Sequence, residues 1–554
     1  MLLSKDLASR FRAAIAAAQA AGELPPFEVP DVPVERPKQA GFGDYATPVA
    51  MQLARLARQA PPAIAETMVR FLEVPPYVER IDVVRPGYVN VALSPRWLAS
   101  QVDEIRRQGA SFGNVDLGQG ARVQVEYVSA NPTGPLTMGS GRNAVIGDAL
   151  ASVLQAAGYR IEREYYVNDA GSRMAAFYAS LYARYCQALG VPEQVPEDGY
   201  LGQYLVEMGQ RIAADEGDRY LHMPREEAIA AIGERGLAMV LESIRSDLAS
   251  MGVVFDCWFS ERSLYDRGLF QQILEMLRQR GYVEEREGAI WFRATALGGD
   301  KDEVIVRSDG QPGYFASDIA YHYDKFVLRG FDRVIDVWGA DHQGHVPRMK
   351  AMMRALGLDP DRLVLLLYQL VTLRRGGEIV RLSKRTGDII TLREVLDEIG
   401  SDALRFFLLS RSAESQMDLD LELAVRQSEE NPVYYVQYAH ARIASILRRA
   451  GDLPLEEGDT SLLVSEPEQN LIRALLRLPE VVYQAAADLA PHHLTYYAQD
   501  LAGVFHGFYR DCRVVSSDPA DRAITLARLK LVDAARIVLA RTLNLMGMSA
   551  PESM

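Results

Sequence analysis

A chain of 554 residues is too long for one hydrophobic core and divides into roughly three or four domains. Its 48% apolar and 24% charged residues suit a soluble globular protein, and no run of about 18 uncharged apolar residues is present, which excludes a helical membrane span. The net charge of −14 argues against a uniformly basic nucleic-acid-binding protein and leaves room for a local basic face.

The first 12 residues carry basic groups with no signal-peptide core behind them. Cys186, Cys257 and Cys512 are odd in number and far apart. They form neither a disulfide framework nor a metal-ligand spacing, so a cytoplasmic setting and no protein-held metal are expected. Residues 1–110 read as an α+β unit: a helix over 2–21, a Pro-rich passage at 25–37, a helix through Leu53 to Ala57, and a strand–turn–strand over 81–93. Its residues alone suggest packing or docking.

Residues 111–390 alternate strands and helices. Strands are expected at 121–128, 160–167, 289–293, 302–307, 333–338 and 363–370, with an insertion at about 172–260 that contains a long helix over 225–251. This pattern predicts a doubly wound parallel sheet whose ligands sit at the carboxyl ends of strands. From residue 392 the strand signals vanish. Helices are expected at 392–399, 401–410, 421–449, 466–489, 494–511 and 517–546, with a polar linker at 451–465. Residues 391–425 connect, and 426–554 form a helical bundle. One bundle helix combines Tyr434, Tyr435, Tyr438, His440 and Arg442. Such residues stack bases and neutralise phosphates, although aromatics at helical spacing also build cores.

Chemistry concentrates in a few segments. Residues 125–148 run from a strand through Asn131, Pro132, Thr133 and Gly134, past Gly139 and Gly141, into a helix. Strand, Gly-rich turn and helix N-terminus is the layout that points N–H groups at a phosphate. Tyr314 and Asp318 are four apart, so on a helix they share a face. Asp341, His342 and His345 follow a strand and suit substrate contacts or metal ligands. A basic loop at 378–388 contains Arg381, Leu382, Ser383 and Lys384, cations able to meet charge on a transferring phosphoryl group.

Taken together, these segments resemble the arginyl-tRNA synthetase family of class I aminoacyl-tRNA synthetases over almost the whole chain. The resemblance lies in VEYVSANPTGPL at 125–136, YVNDAG at 166–171, RSDG at 307–310 with Tyr314 and Asp318, and WGADH at 338–342. It continues in LSKR at 382–385, NPVYYVQYAHAR at 431–442 and APESM at 550–554.

The resemblance implies an α/β protein: a Rossmann-like parallel-sheet catalytic domain, an N-terminal α+β domain on the outer corner of tRNA, and a C-terminal all-α helical bundle for the anticodon. It implies arginine activation by ATP with Mg²⁺ as counter-ion, then transfer to tRNA(Arg), by a cytoplasmic monomer with no tightly bound cofactor and no membrane contact. Glu126, Ser129 and Asn131 would hold the arginine backbone, and Tyr314, Asp318 and Asp341 its guanidinium, a planar fork that a carboxylate pairs bidentately. Pro132, Thr133, Gly134, Gly139, Gly141, Asn143, His342, Arg381, Leu382, Ser383 and Lys384 would lie along ATP. Asp44, Tyr45, Asn90, Tyr438 and Arg442 would contact tRNA.

The chain departs from the family in two places: the first loop, and the second signature, whose first lysine is Arg381 and whose methionine is Leu382 while Ser383 and Lys384 stand. The signature His-x-Gly-His reads Thr137, Met138, Gly139, Ser140, with no histidine in the loop. Thr137, Gly139, Ser140, Ser383 and Lys384 are therefore the expected catalytic set. An active ligase is the first reading, and a paralogue that binds tRNA or arginine without efficient adenylation is the alternative. A generic nucleotidyltransferase has no use for the helical bundle.

Overall fold

Strand-forming residues in the middle of the chain build one parallel sheet. The computed structural model describes residues 2–37, 41–380 and 390–554. In it, strands β1 (Arg122–Glu126), β2 (Arg160–Val167), β3 (Cys257–Ser260), β4 (Arg333–Gly339) and β5 (Leu363–Tyr368) lie in the order β3-β2-β1-β4-β5, every pairing parallel. The order reverses between β1 and β4, so their carboxyl ends open the crevice where such sheets take ligands.

Side chains alternate across the sheet. Val123, Val125, Tyr165, Val167, Ile335 and Val337 enter the larger hydrophobic core. Gln124, Glu126, Glu164 and Asp336 take the opposite positions and are buried too. Over that polar face run the helix Tyr314–Tyr323 and a π-helical turn, Asp324–Leu328. Phe315, Ile319 and Phe326 of this segment join Phe270, Phe292 and Met352 in a second core.

Three expectations from the sequence are corrected here. Ala289–Phe292 and Glu303–Val306 do not join the parallel sheet; they pair antiparallel with each other, and the first also with Val283–Arg286. The parallel sheet instead gains β3, which lies inside the stretch read as an insertion. The rest of that stretch holds the helices Ser172–Ala188, Gln203–Glu216 and Arg225–Ser250. Strand structure also continues past residue 392: Met417–Asp420 pairs in parallel with Val371–Arg375 and buries Met417 and Leu419.

At the N-terminus, Tyr45–Thr47, Val78–Val84 and Tyr88–Leu93 form an antiparallel sheet. Helices Leu3–Ala20, Val49–Ala57 and Pro61–Arg70 bury Phe11, Ile15, Leu53 and Met68 there. Helix Pro95–Gln108 packs on the C-terminal helix Arg522–Leu545, where Arg106 pairs with Asp533 at 2.9 Å and Lys530 with Asp103 at 2.9 Å. Two expected helices are broken at prolines. Asn431 caps Pro432–Ala450 by accepting from Val433 N at 3.0 Å, and Pro479 opens Leu478–Ala487. The fully buried Arg405 fastens three parts together. It donates to the carbonyls of Met546 at 2.7 Å and Met251 at 2.9 Å and pairs with Asp148 on the helix Met138–Ala156.

Candidate active site

The crevice at the β1 end begins with a strained loop. Val128 and Ser129 adopt φ of 66° and 39°, the left-handed region that a β-branched residue enters at a cost of about 1–3 kcal/mol. The surroundings over-determine the shape. Val128 N donates to Asn143 Oδ1 at 2.6 Å, and Asn143 Nδ2 donates to the Val337 carbonyl at 2.8 Å. Asn168 and the Tyr165 hydroxyl hold the carbonyls of Ser129 and Ala130 at 3.0 and 2.9 Å. Tyr204 holds the Thr133 carbonyl. Ser129 Oγ accepts from Tyr166 N at 3.1 Å and donates to Glu126 Oε1 at 3.0 Å. Pro132 and Thr133 are buried in the loop, and Asn131 is exposed. Asn143, expected beside ATP, is buried and has both ends of its amide committed to the frame.

The helix Met138–Ala156 starts at this loop with Thr137 in the N-cap position, and no side chain caps it. Its first N–H groups are left for a ligand, and the helix dipole favours an anion there. The two glycines differ. A Cβ on Gly139 would meet only Thr137 Oγ1 at 3.6 Å, so that side is open. A Cβ on Gly141 would lie 2.6 Å from Leu392 Cδ1, so Gly141 serves packing rather than nucleotide approach. Leu392 N donates to the Leu136 carbonyl at 2.8 Å, and Thr137 bridges Thr391, which fastens the segment after the basic loop to the crevice. Ser140 is partly buried. Arg381, Leu382, Ser383 and Lys384 lie outside the described residues, as does the Tyr314 side chain.

Asp318 stands one helical turn after Tyr314. Its carboxyl is raised above the usual range by burial, against the pull of His322 and Arg348. Beside it is Glu261, a residue the sequence reading missed, directly after β3. Burial pushes Glu261 up to about 7, with Asp318 and Asp169 adding to the rise and the Ser317 hydroxyl opposing it. Both carboxyls resist ionisation where they stand, so a cation brought beside them would favour their charged forms. Asp341, expected to share this task, does not face the pair. The turn after β4 carries it outward, 77% exposed, 3.6 Å from His342, itself half exposed. Glu261 stands at the carboxyl end of β3, a strand that the sequence pattern does not reveal.

Between these two ends lie buried ion pairs. Lys325 Nζ donates to Glu126 Oε2 at 2.6 Å and Asp336 Oδ1 at 2.9 Å, and Arg329 and Tyr321 bind Glu164. Burial raises the Glu126 carboxyl, against the pull of Lys325. Glu162, Glu164 and Cys257 also cluster, but Arg329 occupies the acids and burial beside Glu164 pushes the Cys257 thiol up to about 12.

In the bundle, Arg442 lies over the rings of Tyr438 and Tyr509 at 4.7 and 5.2 Å, and Tyr434 stacks on Tyr438 at 5.7 Å. The expected N-terminal contacts are placed differently. Asp44 pairs with Arg473 at 2.6 Å and accepts from Leu93 N, and Tyr45 donates to Glu480. Asn90 is buried in the small sheet. Asp44 and Tyr45 close the seam between the N-terminal unit and the bundle instead of facing outward.

The sheet order, the loop at its switch point and the appended bundle define a class I aminoacyl-tRNA synthetase. Residues 101–420 match the family model described as tRNA synthetases class I (R), catalytic domain. Residues 5–93 match the arginyl tRNA synthetase N terminal domain, and 436–554 the DALR anticodon binding domain. The chain is 55% identical over 535 residues to an arginine–tRNA ligase of Dehalococcoides mccartyi (strain CBDB1), covering 96% of each. It is 48% identical over 526 residues to that of Carboxydothermus hydrogenoformans, covering 94% of each. The solved Thermus thermophilus arginyl-tRNA synthetase matches with a TM-score of 0.78 at 25% identity, over 100% of both chains. The chain belongs to the arginyl-tRNA synthetase family.

Proposed function

We propose that this chain is an arginine–tRNA ligase that activates arginine with ATP and transfers it to tRNA(Arg). The observation that carries the reading is the buried carboxyls of Asp318 and Glu261, together with the uncapped helix N-terminus that follows β1, within a chain that matches three synthetase domain families. A guanidinium is always charged and presents a planar fork that pairs a carboxylate through two parallel N–H bonds, a geometry a lysine ammonium does not match. Glu126, with Ser129 and Asn131, takes the α-amino end; the Glu126 oxygen not bound by Lys325 is the one that meets Ser129.

The arginine carboxylate attacks the ATP α-phosphate, forming arginyl-adenylate and releasing pyrophosphate. A terminal ribose hydroxyl of tRNA then attacks the arginyl carbonyl, and AMP leaves. Mg²⁺ enters as the counter-ion of ATP. Gly139 and the helix N-terminus receive the nucleotide, with Thr137 and Ser140 offering hydroxyl donors where the family uses imidazoles. Ser383 and Lys384 meet the phosphates; the support is the fastening of Thr391 and Leu392 to the loop at Leu136 and Thr137. Tyr438 and Arg442 stack on and neutralise tRNA. The enzyme acts as a cytoplasmic monomer, which light scattering of the purified protein tests. The reading of an inactive paralogue gains no support from the relatives. Charging of tRNA with labelled arginine tests the function. Arginyl-tRNA accumulates well above a Lys384→Ala control, and no product above that control overturns the proposal.

A further inference from the structure

Lys325 contributes to none of the steps above, yet its side chain is fully buried. It stands on the π-helical turn directly after the helix that carries Asp318. Beneath it, Glu164, Glu126 and Asp336 are register partners across β2, β1 and β4. Neighbouring strands are about 4.8 Å apart, so three like charges in such a row are unfavourable unless compensated. Arg329 covers Glu164, and Lys325 bridges Glu126 and Asp336. The second Asp336 oxygen meets His322 Nε2 at 3.0 Å, and His322 Nδ1 meets the Asp318 carbonyl at 2.8 Å. A polar chain therefore joins the backbone carbonyl of Asp318 to Glu126.

The geometry points to Lys325 as a positioning residue for amino-acid recognition: it holds the Glu126 carboxylate charged and aimed at the α-ammonium of the substrate. This rests on the proposed reading that Glu126 takes that group. Without Lys325, Glu126 and Asp336 become adjacent buried acids with one cation fewer. One of them then takes a proton or turns away, and the charge-assisted bond to the ammonium is lost. The guanidinium end, built from Asp318 and Glu261, keeps its own carboxylates.

Calorimetric binding of three ligands separates the two ends: arginine, 5-guanidinopentanoate (arginine without its α-amino group) and citrulline (a neutral ureido group in place of the guanidinium). A charged hydrogen bond predicts that wild type prefers arginine over 5-guanidinopentanoate by about 10- to 150-fold. In Lys325→Met this preference collapses toward unity while the preference for arginine over citrulline persists. The double variant Lys325→Met/Asp336→Asn removes one charge of each sign; it shows the same loss and is the one to read where the single variant fails to fold. An amino-group preference retained in the folded variant, or both preferences shrinking together, overturns the proposal. Glu126→Gln separates the two levels. If it loses the amino-group preference and the Lys325 variants keep it, the role of Lys325 alone falls. If Glu126→Gln itself keeps the preference, the reading of Glu126 falls first.

Discussion

Replacing Glu261 by Gln tests the arginine pocket through its dependence on pH. Burial, with Asp318 and Asp169 nearby, raises this carboxyl from 4.5 to about 7. At 1.36 kcal/mol per unit that is ~3 kcal/mol. The folded protein holds the proton more tightly than the unfolded chain. The group therefore costs nothing below about pH 4.5, an increasing amount as pH rises, and its full ~3 kcal/mol above about pH 7. Glu261→Gln should accordingly stabilise the ligand-free enzyme at pH 8 and leave it unchanged near pH 4.5. Binding runs the other way. The guanidinium needs the ionised form, so wild-type affinity for arginine falls about tenfold between pH 8 and pH 6, while the charges of arginine itself stay the same. Glu261→Gln removes one member of a desolvated charge pair, costing ~2–5 kcal/mol of affinity, and flattens that pH dependence. Calorimetry at pH 6, 7 and 8 at constant ionic strength measures both effects. A wild-type affinity equal at pH 6 and 8, or a variant with the wild-type slope, would refute the reasoning.

Gly147→Ala ordinarily favours a helix, but here its Cβ would sit 2.2 Å from the ring of buried Tyr127. It should lower stability by about 1–3 kcal/mol, read as an earlier urea transition. Restoring histidine at both signature positions, Thr137→His/Ser140→His, should change the ATP–pyrophosphate exchange rate, measured with tRNA present, by less than about tenfold, whereas an uncompensated loss of two donors predicts a gain of about 10⁴ or more. Tyr438→Ala removes the ring between Tyr434 and Arg442. It should raise KM for tRNA by the worth of one stacked base, about 1–3 kcal/mol, with arginine affinity unchanged.

The sequence exposed whatever long periodic runs encode. Residues 160–167 and 363–368 are rich in Tyr, Val and Leu, and their strands appear as expected. Short elements escaped notice. Cys257–Ser260 and Met417–Asp420 have four residues each, and the second alternates only twice before a helix begins. Glu261 was hidden because its role depends on β3 lying beside β2, a long-range pairing that no local pattern reports. The row of Glu164, Glu126 and Asp336 was hidden for the same reason: Glu126 reads as a substrate contact, but Glu164 and Asp336 look like solvated acids until register brings the three strands together. Asp44 and Tyr45 show the converse, polar residues that look available for RNA until the bundle closes over them.

The central claim is that this site selects arginine and esterifies it to tRNA. The direct measurement offers the enzyme ATP, Mg²⁺, total tRNA and all twenty amino acids together, and identifies the aminoacyl group on recovered tRNA by mass spectrometry. The account predicts arginine alone, abolished by Asp318→Asn. Acylation with another amino acid, or arginylation that survives Asp318→Asn unchanged, would contradict it.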